Sequence, residues 1–179
     1  MTQPEVFPAE DMVGAPDGFQ RLWTPHRMAY VASHRGPVRS CPFCEAPELD
    51  QEETLVVTRG ETCYVVLNLY PYNSGHVLVC PYRHVAYYTD LNMEEVTEMA
   101  HLTRQAMTTL EAVYRATGFN IGMNQGVAGG AGIVEHVHQH VVPRWNGDAN
   151  FFPIIAQTKA LSQLLPQTRD ALAQQWGQQ

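Results

Sequence analysis

Ile133-Val-Glu-His136-Val-His138-Gln-His140-Val-Val142 sets three histidines two residues apart within a run of apolar, mostly β-branched residues. The spacing predicts a strand over 133–142, with His136, His138 and His140 on one sheet face and Val137, Gln139 and Val141 on the other. A core strand does not favour such a face, because each buried ring nitrogen without a partner costs on the order of 1 to 3 kcal/mol. The wall of imidazoles therefore points to chemistry, against the alternatives of a tri-histidine metal site or chance in a chain with 8 histidines.

Immediately upstream, Gly126-Val-Ala-Gly-Gly-Ala-Gly132 offers backbone N–H groups to an anion without side-chain obstruction. The loop runs into a strand rather than a helix and lacks a Gly-Lys-Ser/Thr ending, so it is neither a Walker loop nor a dinucleotide fingerprint. Before it, Met93, Val96, Met99, Ala100, Met107, Leu110, Val113 and Tyr114 recur at threes and fours, which predicts a long helix over 92–116. Asn92 with Glu95 forms its cap and Gly118 its end. The apolar runs 63–69 (CYVVLNL) and 76–80 (HVLVC) predict two antiparallel strands about the turn Tyr70-Pro-Tyr-Asn-Ser-Gly75, and 119–123 (FNIGM) a third. Residues 52–58 read as a helical turn, and 158–165 and 167–176 as terminal helices.

The chain of 179 residues, 45% hydrophobic, has room for one core. Residues 1–34 read as an N-terminal arm with one short helix, 35–150 as the body of the fold, and 151–179 as a helical extension of the same domain. The net charge of −7 disfavours a nucleic-acid coat or an anionic membrane surface, so an anionic ligand needs a local site. The start, MTQPEVFPAEDMVG, lacks a basic end and an apolar run, and no stretch approaches the roughly 18 to 20 apolar residues of a membrane span. These features predict a cytoplasmic protein. Of four cysteines, Cys41 and Cys44 form a CxxC pair in a Pro- and Gly-rich loop over 33–49. Two of four zinc ligands is the reading that suits soft thiolates completed by distant histidines; a redox pair, which usually opens a helix, is the competitor.

His136-Val-His138-Gln-His140-Val-Val142, followed by Pro143-Arg144, resembles the signature of the histidine triad (HIT) superfamily. Tyr64-Val-Val-Leu-Asn-Leu-Tyr-Pro-Tyr-Asn-Ser-Gly-His76-Val-Leu-Val, then Pro81-Tyr-Arg-His84 and Asp90-Leu91, resemble its other blocks in the same order, over about 41–145. The flanks LWTPHRMAYV and VVPRWNGDANF are similar to those of bacterial diadenosine tetraphosphate phosphorylases. The resemblance implies an α+β fold, an antiparallel sheet with a long packed helix, and a homodimer of joined sheets. It also implies nucleotidyl transfer or hydrolysis at the α-phosphate of an adenine nucleotide or dinucleoside polyphosphate, with His138 as nucleophile.

For His138 to attack, one ring nitrogen must be unprotonated, which an imidazole titrating near about 6.5 allows, and the other should donate to a backbone carbonyl. His140 suits a protonated donor to a phosphate oxygen or leaving group, and the glycine-loop N–H groups, Gly130 and Gly132 among them, suit the phosphoryl oxygens. No magnesium site is required. By the resemblance, Cys41, Cys44, His84 and His136 form a closed and therefore structural zinc set. Asn68 falls near the ribose, where relatives commonly carry an acid. His76 and Asn124 match positions that approach the phosphates or support the nucleophile, and Trp145 one that stacks on a base or packs. Gln139 departs from the usual apolar residue, and Gly132 lies where relatives often supply a hydroxyl or amide. Competing readings are a nucleoside phosphoramidate or aminoacyl-adenylate hydrolase, a nucleotide-binding HIT protein without turnover, and a metallohydrolase with triad-held zinc.

Overall fold

A computed structural model describes residues 41–50, 54–148 and 163–178. The arm expected over 1–34 and most of the helix expected over 158–165 lie outside the described residues. The described elements run in order α1 (Pro42–Glu45), a 3₁₀ turn (Ala46–Glu48), β1 (Val56–Arg59), β2 (Cys63–Leu67), β3 (Val77–Pro81), a second 3₁₀ turn (Tyr88–Asp90), α2 (Met93–Tyr114), β4 (Gly118–Gly122), β5 (Gln139–Arg144) and α3 (Leu165–Gln175). The strands form one antiparallel sheet in the order β1-β2-β3-β5-β4. This is the α+β architecture that the sequence implies.

β2 and β3 are buried at every residue because both faces of the sheet are covered. Alternation sends Cys63, Val65, Leu67, Val77, Val79 and Val141 against Met99, Leu102, Ala106 and Leu110 of α2 and Leu172 of α3. Tyr64, Val66, Leu78 and Cys80 face the other way and pack with Val56 and Phe43. Each large apolar side chain buried in these layers contributes about 1.5 to 3 kcal/mol.

Asn92 caps α2: its side chain accepts from the Glu95 N–H at 2.9 Å, and the Glu95 carboxylate accepts from the Asn92 N–H at 2.8 Å. The helix ends earlier than expected. Arg115 itself turns left-handed at φ 53° and donates its N–H to Glu111, so Gly118 opens β4 instead of ending the helix. Residues 52–58 are a second correction: the described part contains the strand β1, paired from Val56↔Val66 to Arg59↔Tyr64 with a bulge between Val56 and Thr58. The triad strand is a third, since it begins only at Gln139. β4 reaches no further than Gly122↔His140, and the Val137 N–H leaves the sheet ladder to donate to Val85 O at 2.7 Å.

The β1–β2 turn is closed by one carboxylate. Glu98 of α2 accepts from the N–H groups of Glu61, Thr62 and Cys63 and from the Thr62 hydroxyl, at 2.5 to 2.8 Å. Burial pushes this carboxyl up, but the Thr62 hydroxyl and the three N–H donors more than offset it, and it titrates below its ordinary range. The folded protein thus holds this proton less tightly than the unfolded chain does. The stabilisation is complete above the ordinary glutamate pKa and is lost as pH falls through the lower folded value. Glu98→Gln is expected to cost about 1 to 2 kcal/mol at neutral pH and to flatten the acid limb of stability, measured by urea unfolding between neutral and acidic pH. An unchanged acid limb would remove Glu98 from this role.

Candidate active site and metal centre

The α1 turn, the loop after β3 and the segment that leads into β5 bring Cys41, Cys44, His84 and His136 together, with one ligand atom from each within 4.8 Å of the others. The CxxC opens the short helix α1, with Cys41 at its N-cap and Pro42 at its start. The loop expected there is therefore a helical turn, and a helix start alone does not distinguish a redox pair from a metal pair. Two histidines beside the thiols fit a metal pair. Cys41 Sγ lies 3.4 Å from His136 Nδ1, and Cys44 Sγ lies 3.3 Å from His84 Nδ1 and 3.6 Å from His136 Nδ1. Bonds of about 2.0 to 2.3 Å to a tetrahedral ion put neighbouring ligand atoms about 3.3 to 3.8 Å apart, so the donor set fits such an ion.

His136 is fully buried, and its Nε2–H donates to Pro81 O at 2.9 Å, which turns the Nδ1 lone pair toward the thiols. Burial, and then the neighbouring Cys41, push the Cys44 thiol up to about 11, a direction that a bound cation would oppose by favouring the thiolate. His84 follows Arg83, whose guanidinium grips Glu95 through Nε at 2.9 Å and Nη2 at 2.6 Å and reaches Asp90 O at 2.7 Å. The same Glu95 closes the α2 cap, so the helix start anchors the His84 loop.

His138 lies one residue before β5. Its Nδ1–H donates to the His136 carbonyl at 2.8 Å, leaving the Nε2 lone pair. Burial holds the imidazole below its ordinary pKa, against the opposing pull of that carbonyl, so the ring is neutral near pH 7. His140 is the second residue of β5, opposite Leu78 of β3 and Gly122 of β4. The Tyr72 N–H donates to His76 Nδ1 at 3.0 Å, so the His76 proton sits on Nε2 and is donated to His140 Nδ1 at 2.9 Å. This chain of donors leaves the His140 proton on Nε2. The rings of His138 and His140 are 5.0 Å apart at 66°, so a lone pair and a proton donor stand side by side.

Only His140 of the three triad histidines belongs to the strand, so the one-face argument does not position the other two. Asn68 is tied into the same turn: its Oδ1 accepts from the Tyr70 N–H at 3.0 Å, and its Nδ2 lies 3.3 Å from His76 Nδ1. Gln139 points to the helix side and donates to Thr103 Oγ1 at 2.6 Å, which satisfies its amide where an apolar residue was the pattern. Asn124 is half-buried just after β4, and the glycine loop that follows is a turn with Gly126 and Gly130 at positive φ. The Gly130 N–H donates to Val127 O at 3.1 Å, so this amide serves the loop itself, while Gly132 is exposed. Trp145 is half-buried, and its indole N–H donates to Tyr114 O at the end of α2. It lies five residues beyond His140, on the order of 15 Å along an extended strand, and is not gathered with the histidines.

Sequence reasoning missed Phe43, Tyr64 and Tyr72. The Tyr72 ring stacks on His140 at 5.7 Å and tilts over His76 at 4.7 Å. Phe43 carried a signal, since it lies between Cys41 and Cys44 and is placed with them beside His84 and His136.

A five-stranded antiparallel sheet backed by a capped helix, with an alternating histidine run entering its fourth position, defines a histidine triad domain. The family model described as HIT domain matches residues 50–147, and the chain belongs to the HIT family. The chain is 49% identical over 174 residues to a Mycobacterium tuberculosis protein named AP-4-A phosphorylase, covering 93% of this chain and 89% of that one. It is 40% identical over 93 residues to the asymmetrical bis(5'-nucleosyl)-tetraphosphatase of Schizosaccharomyces pombe, covering 52% and 50%. Among solved structures, a Zn-bound histidine triad family protein from Mycobacterium smegmatis matches with TM-score 0.63 and 28% identity, over 78% of this chain and 94% of that one.

Proposed function

We propose that the protein is a nucleotidyltransferase that cleaves an adenine dinucleoside polyphosphate at an α-phosphate, with inorganic phosphate as acceptor. The observation that carries this reading is the pairing of a neutral, carbonyl-oriented His138 with a His140 whose proton is set on Nε2. The M. tuberculosis relative named AP-4-A phosphorylase supports diadenosine tetraphosphate as the substrate. His138 Nε2 attacks the α-phosphorus, a P–N bond forms as the P–O bond breaks, and the ATP oxygen that leaves takes the His140 Nε2 proton. Phosphate then attacks the nucleotidyl-histidine and releases ADP. Asn68, Asn124 and the glycine-loop amides, Gly132 included, bind the nucleotide in this reading, and Trp145 packs against the end of α2.

Cys41, Cys44, His84 and His136 hold zinc in this reading, which the soft thiolate and imidazole donors and the Zn-bound neighbour support. Zinc closes the site and fastens α1 to the segment that carries His136. The protein is read as a cytoplasmic homodimer. No helix among the described residues is long and apolar enough to cross a membrane, and β4 leaves an edge with Ile121 exposed for a second sheet.

The product pattern tests the acceptor. With diadenosine tetraphosphate and phosphate, chromatography is expected to show ADP and ATP in equal amounts, and without phosphate the reaction slows. AMP and ATP at a phosphate-independent rate would replace phosphorolysis by hydrolysis.

A further inference from the structure

We propose that Phe43 is a positioning residue for His138, fixing the tilt of the imidazole that its ring hydrogen bond leaves open. The proposal rests on the nucleotidyl-transfer reading. One bond from Nδ1 to the His136 carbonyl holds a single ring atom at 2.8 Å, and rotation about that contact would swing Nε2 away from a phosphorus. The Phe43 ring lies against that rotation, with centroids 4.7 Å apart at 46°, and His140 stands at 5.0 Å on the same imidazole. Phe43 also meets His136 edge-on at 5.6 Å. Phe43 and His140 are thus both in ring contact with the His138 imidazole, which is only 5% exposed.

Phe43 is itself held firmly enough to act as a wall. Its carbonyl accepts from the Tyr64 hydroxyl at 2.5 Å, and Tyr64 is fully buried in β2. Phe43 lies directly before Cys44 and two residues after Cys41, across Pro42, and the N–H groups of Cys44 and Glu45 donate back to Cys41 O at 3.0 and 3.1 Å. The turn that gathers the thiols therefore delivers the ring to the nucleophile. Simple core filling makes a different demand: it needs the volume of Phe43 and is satisfied by leucine or methionine, whereas a flat ring face is not reproduced by either.

The test compares wild type with Phe43→Leu and Phe43→Met in the metal-loaded protein. Burst formation of the nucleotidyl adduct with diadenosine tetraphosphate is followed by rapid-quench mass spectrometry, and the His138 Nδ1 proton by NMR of histidine-labelled protein. At saturating substrate the adduct rate is expected to fall about tenfold, since small misplacement of a reacting group is costly. The half-saturating concentration and the bound metal stay unchanged, and the Nδ1 proton signal broadens and exchanges faster with solvent. An unchanged saturated rate with a sharp signal overturns the proposal, as does a loss confined to half-saturation, which would make Phe43 a substrate contact. The NMR comparison needs no substrate. If wild type forms no adduct, the chemistry is wrong, and the signal still decides whether Phe43 holds the ring.

Discussion

Replacing His138 with alanine is expected to abolish the nucleotidyl adduct and to lower turnover by at least about 10⁴-fold, on the scale seen when a covalent nucleophile is deleted. No neighbour can take over. His140 accepts the His76 proton at Nδ1 and carries its own on Nε2, and His136 has one nitrogen on Pro81 O and the other among the thiols. Alanine also strands the His136 carbonyl, at a cost of about 1 to 3 kcal/mol, so a fall in activity could be blamed on unfolding. His138→Asn separates the two effects, because its side-chain N–H can still reach that carbonyl while it lacks a nucleophilic nitrogen. Both variants should fail in adduct formation, while the asparagine protein keeps a melting temperature close to wild type. An adduct of normal yield on either one would end the assignment of His138 as nucleophile.

Stripping the metal, or replacing Cys44 with serine, is expected to lower the melting temperature by roughly 10 °C. A ligand at a thousand times its dissociation constant stabilises the folded state by about 4 kcal/mol, and a chain of this size loses a few degrees per kcal/mol. Cys44 is the better position to probe because its sulfur faces both His84 and His136. The loss should be reversed by zinc in wild type and not in the variant, read by differential scanning calorimetry with metal analysis of the same samples. Catalytic zinc held by the triad predicts the opposite pattern, activity lost with the melting temperature retained. Cys41→Ser with unchanged metal content and melting temperature would refute the clamp.

The elements legible in the sequence are those whose residues repeat a single environment. β2 and β3 are β-branched on both faces because both faces are buried, and α2 shows its apolar stripe and its Asn92 and Glu95 cap directly. β1 was misread because its bulge breaks the alternation that identifies a strand, and its stability comes from pairing with β2 rather than from its own pattern. The same dependence on a partner shortens β5. Ile133 to His138 has the composition of a strand, yet the Val137 N–H is spent on Val85 O, and β4 is too short to support the segment.

The site divides along similar lines. Histidines two residues apart announced reactive chemistry, although His136 and His138 owe their directions to Pro81 O and to a backbone carbonyl instead of to a pleat. Cys41 and Cys44 were visible as a pair, but spacing could not select His84 and His136 out of 8 histidines; the family resemblance supplied them. The donor chain from Tyr72 through His76 to His140 depends on which ring nitrogen faces which atom, and only coordinates carry that information.

The four residues that could hold a metal are far apart along the chain: 40 residues separate Cys44 from His84, and 95 separate Cys41 from His136. Closing loops of that length is entropically unfavourable, so the four donors meet only after β2, β3 and β5 have paired. An ion held by these donors would then be expected to bind late in folding, after the strands have paired. Interactions absent from the transition state act on the reverse step. Metal supply would then govern how long each molecule stays folded and leave almost untouched how fast a new chain reaches the native state.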